Sequence, residues 1–279
     1  MENIKIHVLQ TGAVCVDPAL PFKSESKNPI AYTGIGRNPK NRLWLPVSAY
    51  LVEHPNGLIL FDTGWHREIS PNGEYNRRAQ IKHMYFRHYL LNQGKLPKGE
   101  AIDEQLAKMN IKTSDLDYVI MSHLHTDHAS GLKLVKDAKK ILVSKPEMDD
   151  AIKYPFRYAK RMWDGVKFDT FEFKQTGVGP VGKSYDFFGD GTIELISIPG
   201  HTNGLTAMKI NNNGKYVLLF ADGGYAEKSW KKMIAPGTAL DKESAMNSIA
   251  WIKEMSSKKE CLESLANHDP DVIPHEIIL

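Results

Sequence analysis

The segment His123-Leu124-His125-Thr126-Asp127-His128 constrains this chain more than any other. It packs three imidazoles and one carboxylate into six residues. Neutral imidazole and carboxylate are ligands that zinc and other first-row metals take readily. The strand-like run Tyr118-Val119-Ile120-Met121-Ser122 precedes it, so the ligand cluster is expected where a strand ends and a loop begins. A fold that carries it must therefore present strand ends to a common point. A histidine-rich surface turn would not need further ligands elsewhere.

Further ligands are present. His201 lies in Ile198-Pro199-Gly200-His201-Thr202-Asn203-Gly204, after the strand-like Thr192–Ser197. Asp222 lies in Phe220-Ala221-Asp222-Gly223-Gly224, after Tyr216–Phe220. His268 follows in Ala266-Asn267-His268-Asp269. Two of these three sites repeat one pattern, an apolar strand followed by a ligand on a tight glycine-containing turn. The total is five histidines and two aspartates. One tetrahedral ion needs about four ligands, so seven suit two ions that share a bridge.

With these motifs the chain resembles the metallo-β-lactamase superfamily. The similarity runs from the first strand near Ile4 to beyond His268. It implies an α/β fold, a four-layer αββα sandwich, with two divalent metal ions per chain. It implies that His123, His125 and His201 hold one ion, that Asp127, His128 and His268 hold the other, and that Asp222 bridges them with a water or hydroxide. Asp62, in Leu58-Ile59-Leu60-Phe61-Asp62-Thr63-Gly64, matches a family position that supports the site from behind. A carboxylate there fixes the tautomer of a ligating imidazole. Zinc is the expected metal, with iron, manganese or cobalt able to use the same ligands.

Within the superfamily, true β-lactamases carry cysteine where Asp222 stands, and diiron flavoproteins carry glutamate where His125 stands. Tyr225, three residues after Asp222, matches a catalytic tyrosine of the N-acyl-homoserine lactonase family. The chain departs from that family at Asn203, where proline is usual, and at Gly223-Gly224, where Ala-Ser is commoner. Its segment from about Tyr154 to Gly191 is longer and more aromatic.

Composition fits a soluble enzyme. A chain of 279 residues buries a sizeable core, and 42% hydrophobic with 25% charged residues is ordinary for a globular protein. The expectation is a single hydrolase domain over residues 1–279, with a helical lid or dimer insert near 65–100. No apolar run approaches the roughly 18 residues of a membrane span. The N-terminus enters an alternating strand (Ile4, Ile6, Val8) with no leader pattern, which points to the cytoplasm. Two isolated cysteines, Cys15 and Cys261, give no disulfide framework. A net charge of +3 lends little support to nucleic-acid binding.

The pattern predicts strands at Lys5–Thr11, Val47–Glu53, Gly57–Phe61, Tyr118–Ser122, Lys140–Val143, Thr170–Lys174, Thr192–Ile198, Leu205–Ile210 and Lys215–Ala221. Asn211-Asn212-Asn213-Gly214 reads as a hairpin turn between the last two. Helices are predicted at about Arg77–Asn92, Ala101–Met109, Ala129–Val135, Pro146–Lys153 and Asp241–Met255.

Gly177-Val178-Gly179-Pro180-Val181-Gly182-Lys183-Ser184 satisfies the P-loop pattern. No helix follows it, however, and Pro180 removes a backbone donor. It reads as a glycine-rich loop between strands. Tyr75–Leu91 reads as a core-packed helix with a basic face, or as a lid or dimer contact. His83 and His88 within it lie five residues apart with no carboxylate joining them, so they are not expected to bind metal. Tyr154-Pro155-Phe156-Arg157-Tyr158 through Met162-Trp163 offers aromatic and basic residues to line an acyl pocket.

The implied chemistry is lactone opening, with N-acyl-homoserine lactones as leading substrates and quorum quenching as the consequence. A bridging hydroxide attacks the carbonyl, Tyr225 donates to the oxyanion, and Asp127 protonates the departing alkoxide. The alternatives are hydrolysis of another ester, a thioester or a phosphodiester, or a nucleic-acid-processing activity.

Overall fold

The computed structural model describes residues 2–23, 28 and 30–279. The chain forms two sheets. In order of position, the first contains β14 (His275–Ile278), β1 (Lys5–Val16), β2 (Leu43–His54), β3 (Gly57–Phe61), β5 (Tyr118–Ile120), β6 (Lys140–Ser144) and β7 (Asp169–Phe171), with β4 (Gln93–Lys95) also paired to β1. The second runs β13 (Cys261–Ala266), β12 (Lys215–Ala221), β11 (Thr206–Asn212), β10 (Ile193–Ser197), β9 (Lys183–Asp186), β8 (Lys174–Gln175).

Strand alternation explains why these sheets stack. Successive residues point to opposite faces, and here both faces are apolar. Ile6, Val8, Tyr50, Val52, Ile59 and Phe61 of the first sheet meet Ile193, Leu195, Met208, Ile210, Val217 and Leu219 of the second in a central core. The opposite face of the first sheet, with Val14, Val47, Ala49, Leu51, Leu60 and Val119, is covered by α1 (Arg77–Met84), α2 (Phe86–Leu91), α3 (Ile102–Lys108) and neighbouring segments. The opposite face of the second, with Ile196, Ala207, Leu218 and Phe220, is covered by α6 (Glu227–Lys231) and α7 (Lys242–Ser256) through Trp230, Ile249, Ile252 and Met255. Three apolar layers between four layers of structure give the αββα sandwich. Burial of this kind is worth about 25 cal/mol per Å2 of apolar surface, so neither sheet is stable without its helices.

Strand direction positions the site. β3 and β5 are parallel, as are β12 and β13. β10 is antiparallel to β11 and β11 to β12, so β10 runs with β12. The C-terminal ends of β3, β5, β10, β12 and β13 thus deliver Asp62, the 123–128 segment, His201, Asp222 and His268. The two sheets are tied together at that end by backbone hydrogen bonds from Ser48 N–H to the Asn267 carbonyl (2.9 Å) and from Thr206 N–H to the Ser122 carbonyl (3.0 Å).

The structure corrects several sequence expectations. The predicted helix over Arg77–Asn92 is two helices, broken at Tyr85, where φ is +67°. Arg161 packs at the break: its guanidinium lies 4.1 Å from the Tyr85 ring centroid and donates to the Lys82 carbonyl at 2.5 Å. The predicted strand Thr170–Lys174 is split between β7 and β8, which belong to different sheets. The helix predicted over Ala129–Val135 is instead a short α4 (Thr126–Ala129) followed by a 3-10 helix over Ser130–Val135. The strands β4, β9, β13 and β14 and the helix α6 were not expected. The hairpin turn is as expected, with Asn213 and Gly214 both at positive φ. The P-loop-like run joins β8 to β9, and a strand follows it. No helix among the described residues is long and apolar enough to cross a membrane.

Candidate metal centre

The local chain at each ligand is set by what lies behind it. Asp62 adopts φ +63° directly after β3, and Ala221 adopts φ +45° directly before Asp222. Such backbone costs of order 1–3 kcal/mol and persists where surroundings hold it. Asp62 is held by four hydrogen bonds. Its Oδ1 accepts from Ser122 N–H at 2.8 Å. Its Oδ2 accepts from the Ser122 hydroxyl at 2.7 Å and from Asn267 Nδ2 at 2.9 Å, and lies 2.8 Å from His128 Nδ1. Gly200 before His201 has φ +138°, and a Cβ there would stand 2.2 Å from the Ala245 nitrogen of α7. Glycine therefore lets this loop pass under the helix and sets the height of His201.

The structure brings all seven sequence candidates together. His123, His125 and His201 present donor atoms within 4.8 Å of one another, and so do Asp127, His128 and His268. His125 Nδ1 and His201 Nε2 are 2.8 Å apart. Asp222 reaches both sets. Its Oδ2 lies 3.3 Å from His201 Nε2 and 3.9 Å from His123 Nε2, and its Oδ1 lies 3.0 Å from His128 Nε2 and 3.1 Å from His268 Nε2. Asp127 Oδ2 is 3.4 Å from His268 Nε2. The far nitrogens are anchored: His123 Nδ1 by the Ser122 hydroxyl at 3.0 Å, His128 Nδ1 by Asp62, and His268 Nδ1 by the Pro46 carbonyl at 2.8 Å.

These residues fit a pair of cations. The inward atoms His123 Nε2, His128 Nε2, His268 Nε2 and Asp222 Oδ1 are buried and have no hydrogen-bond partner among the described residues. Orphaned buried polar atoms are costly, and four aimed at one space imply an occupant. The carboxylates of Asp62, Asp127 and Asp222 are also buried there, and buried charge requires a counter-charge. Burial holds His123 and His125 well below the ordinary imidazole range, and His201 at about 4. Burial opposes charge on His128 too, yet the Asp222 and Asp62 carboxylates outweigh it and raise that imidazole well above its ordinary value. His268 is raised mainly by Asp222 against the same burial. Burial would raise Asp222, but His268 and His128 hold it well below the usual carboxylate range.

Asp62→Asn is expected to keep the turn, because asparagine tolerates positive φ, while removing the charge that holds His128. The expected cost is about tenfold to a hundredfold in affinity for one metal, read by competition with a chromogenic chelator. An unchanged affinity would remove Asp62 from the site.

A cleft of about 440 Å3 opens above the cluster. His125, Asp127, His201, Asp222 and Tyr225 line it beside Val14, Val16, Leu20, Leu91 and Phe156, with Lys23, His88, Asn92, Arg157 and Thr238 supplying polar groups. Tyr225 is 4% exposed, its ring stacks on His268 at 5.3 Å, and its hydroxyl lies beside Thr238 and Asp222. Burial and the Asp222 charge keep the phenol protonated. The Tyr154–Trp163 segment divides: Phe156 and Arg157 reach the cleft, whereas Met162 and Trp163 pack in the core.

Glu147 was missed by sequence reasoning. It is fully buried; its Oε1 accepts from Leu124 N–H at 2.9 Å and its Oε2 from the Thr202 hydroxyl at 2.6 Å. One carboxylate thereby clamps the loop of His123 and His125 to the loop of His201, and burial pushes it up to about 7. In sequence, Ser144-Lys145-Pro146-Glu147 resembles an ordinary helix start, which hides this role. The expectation that no carboxylate joins His83 is also overturned: Glu68 Oε2 lies 3.1 Å from His83 Nδ1, brought there by the fold from fifteen residues away. His88 lines the cleft and belongs to no such group.

The family model of the metallo-beta-lactamase superfamily matches residues 42–260. The N-acyl homoserine lactonase AttM of Rhizobium radiobacter is 25% identical over 280 residues, covering 97% of this chain and 95% of the relative. The N-acyl homoserine lactonase of Bacillus cereus is 28% identical over 224 residues, covering 80% and 81%. Among solved structures, an N-acyl homoserine lactone hydrolase with the product N-hexanoyl-L-homoserine at its catalytic metal centre superposes with a TM-score of 0.73 at 24% identity, covering 96% of this chain and 94% of that one.

Proposed function

Because this chain belongs to the metallo-β-lactamase superfamily and joins two ligand sets through one carboxylate beneath a cleft, we propose that it is a dinuclear metal-dependent hydrolase that opens lactone rings, with N-acyl-homoserine lactones as substrates and quorum quenching as its role. The observation that carries this reading is Tyr225, set beside Asp222 in a cleft that joins the candidate ligands to an apolar wall of Val14, Val16, Leu20, Leu91 and Phe156. The names of the relatives, N-acyl homoserine lactonases at 25% and 28% identity, support the substrate class.

His123, His125 and His201 would hold one ion, Asp127, His128 and His268 the other, and Asp222 both. Zinc is the preferred pair, and iron, manganese or cobalt suit the same nitrogen and oxygen donors. Bound there, two such ions polarise a carbonyl and lower the pKa of water toward neutrality. The chain does the rest. Val14, Val16, Leu20, Leu91 and Phe156 take an acyl chain out of water. The Tyr225 O–H donates to the oxygen on which negative charge develops. Asp127, at the cleft wall, would take the proton released by the attacking water and pass it to the departing alkoxide. α2 serves as a wall of the cleft through His88 and Leu91. The free thiols Cys15 and Cys261 suit a reducing cytoplasm.

Tyr225→Phe tests the lactone reading. It keeps the ring and the metals but removes one donor, and such donors are worth roughly 3 kcal/mol at most. Another Lewis acid still acts on the same oxygen, so the expected loss is about tenfold to a hundredfold in turnover on the best lactone, with a smaller change in KM. An unchanged turnover number would detach the protein from lactone chemistry and leave a generic hydrolase. A panel of lactones, aryl esters, thioesters and phosphodiesters, run on protein of known metal content, ranks the substrates.

A further inference from the structure

We propose an accessory transition-metal site made of His66, Glu68 and His83, which shares no residue with the seven candidate ligands of the cleft. Donor atoms of the three lie within 4.8 Å of one another. Glu68 Oε2 is 3.1 Å from His83 Nδ1 and 3.9 Å from His66 Nδ1, whose lone pair accepts from the Glu68 backbone N–H at 3.1 Å and would exchange that bond for the metal. Ligands about 2.1 Å from a common ion, as zinc–nitrogen and zinc–oxygen bonds require, stand about 3.0–3.5 Å apart, so completing the set takes closure of the exposed Glu68 side chain and rotation of one imidazole. Two imidazoles and one carboxylate are donors that zinc, copper, nickel and ferrous iron all accept.

The fold prepares these groups. The His66 and His83 rings stack at 5.1 Å with planes 22° apart, so one ring must rotate for both in-plane lone pairs to meet one ion. His83 Nε2 lies 3.0 Å from the Ser130 hydroxyl oxygen, which also accepts from His66 N–H at 3.0 Å. Ser130 thus orients the His83 ring, as outer partners orient metal-binding imidazoles, and holds His66 only through its main chain. Burial holds His83 at about 4 and lowers His66 as well, so both rings are neutral and able to ligate near neutral pH. Lys133 lies close enough to oppose a cation, and Asp103, whose Oδ1 is buried without a hydrogen-bond partner among the described residues, offsets it. Glu68 is exposed, so an ion reaches the site from solvent and not through the cleft.

Equilibrium dialysis of the holoenzyme against micromolar Zn2+, followed by elemental analysis, tests the site. The wild type should take up one more zinc per chain than Glu68→Gln or His66→Ala. Loss of a direct ligand should weaken that zinc by more than the roughly tenfold seen when an outer partner is lost. Zinc should also raise the Tm of the wild type and leave that of Glu68→Gln unchanged, because a ligand that binds only the folded state stabilises it. Equal zinc uptake and equal zinc-dependent Tm in wild type and both variants would overturn the proposal. A failure of the dinuclear centre reads differently: it lowers the metal content of all three proteins by the same amount.

Discussion

Asp222→Ala is expected to abolish measurable lactone hydrolysis and to reduce bound metal from about two ions per chain to one or none. Asp222 is the one candidate ligand whose two oxygens face different histidine sets, Oδ2 toward His201 and His123 and Oδ1 toward His128 and His268. Removing it deletes a donor from each set. It also leaves His128 and His268 without the carboxylate that does most to raise them. Both imidazoles then lie buried with a neighbour gone: His128 Nε2 loses its carboxylate, and His268 Nε2 keeps only Asp127, at 3.4 Å. The variant should therefore lose stability as well as metal, by about 3–5 kcal/mol if the broken pairs behave as other buried ion pairs do. Elemental analysis, lactone turnover and thermal melting give three separate readings. Two tightly held metals and wild-type turnover in Asp222→Ala would end the bridged-pair reading outright.

The same residue shows why the site was so legible in sequence. Its chemistry lies in side chains on short loops, and each loop directly follows an apolar strand that announces itself. Asp62, the 123–128 cluster, His201 and Asp222 all carry that signature. His268 lacked it, because β13 is short, half polar (Cys261-Leu262-Glu263-Ser264) and paired irregularly with β12. β14 was hidden for a similar reason: it starts next to Pro274 and gains its partner only when β1 lies beside it. The two-helix break at Tyr85 is packed by Arg161, a residue 76 positions away, and local periodicity carries no trace of that contact. Glu147, Thr238 and Val14 were invisible as functional residues because their roles exist only once the sheets close. β1 runs on to Val16 through a bulge near Gly12, which places Val14 and Val16 in the cleft wall where the predicted strand had already ended at Thr11. Ligand identity was thus local information, whereas the pocket that selects the substrate was not.

Asp127→Asn is expected to lower turnover by at least about a hundredfold, the usual scale for loss of a general acid. The argument rests on where Asp127 stands. It lies in α4, whose first turn also carries His128, and its carboxylate lines the cleft while Oδ2 sits 3.4 Å from His268 Nε2. Apart from Asp222, it is the one carboxylate among the candidate ligands, and it lines the cleft. A ring-opened lactone leaves as an alkoxide still tethered to its acyl group, and that oxygen needs a proton before the product departs. Asparagine keeps the shape and one oxygen donor, so the His123, His125 and His201 set should retain its metal and the second set should weaken. It cannot deliver the proton. The loss should shrink on lactones or aryl esters whose leaving groups are acidic enough to depart unprotonated, since a general acid contributes less there. Comparing wild type and Asp127→Asn across such a leaving-group series, with metal content measured in the same samples, separates proton transfer from metal loss. A uniform decrease along the series, in step with the missing metal, would reduce Asp127 to a ligand and move the proton donor elsewhere in the cleft.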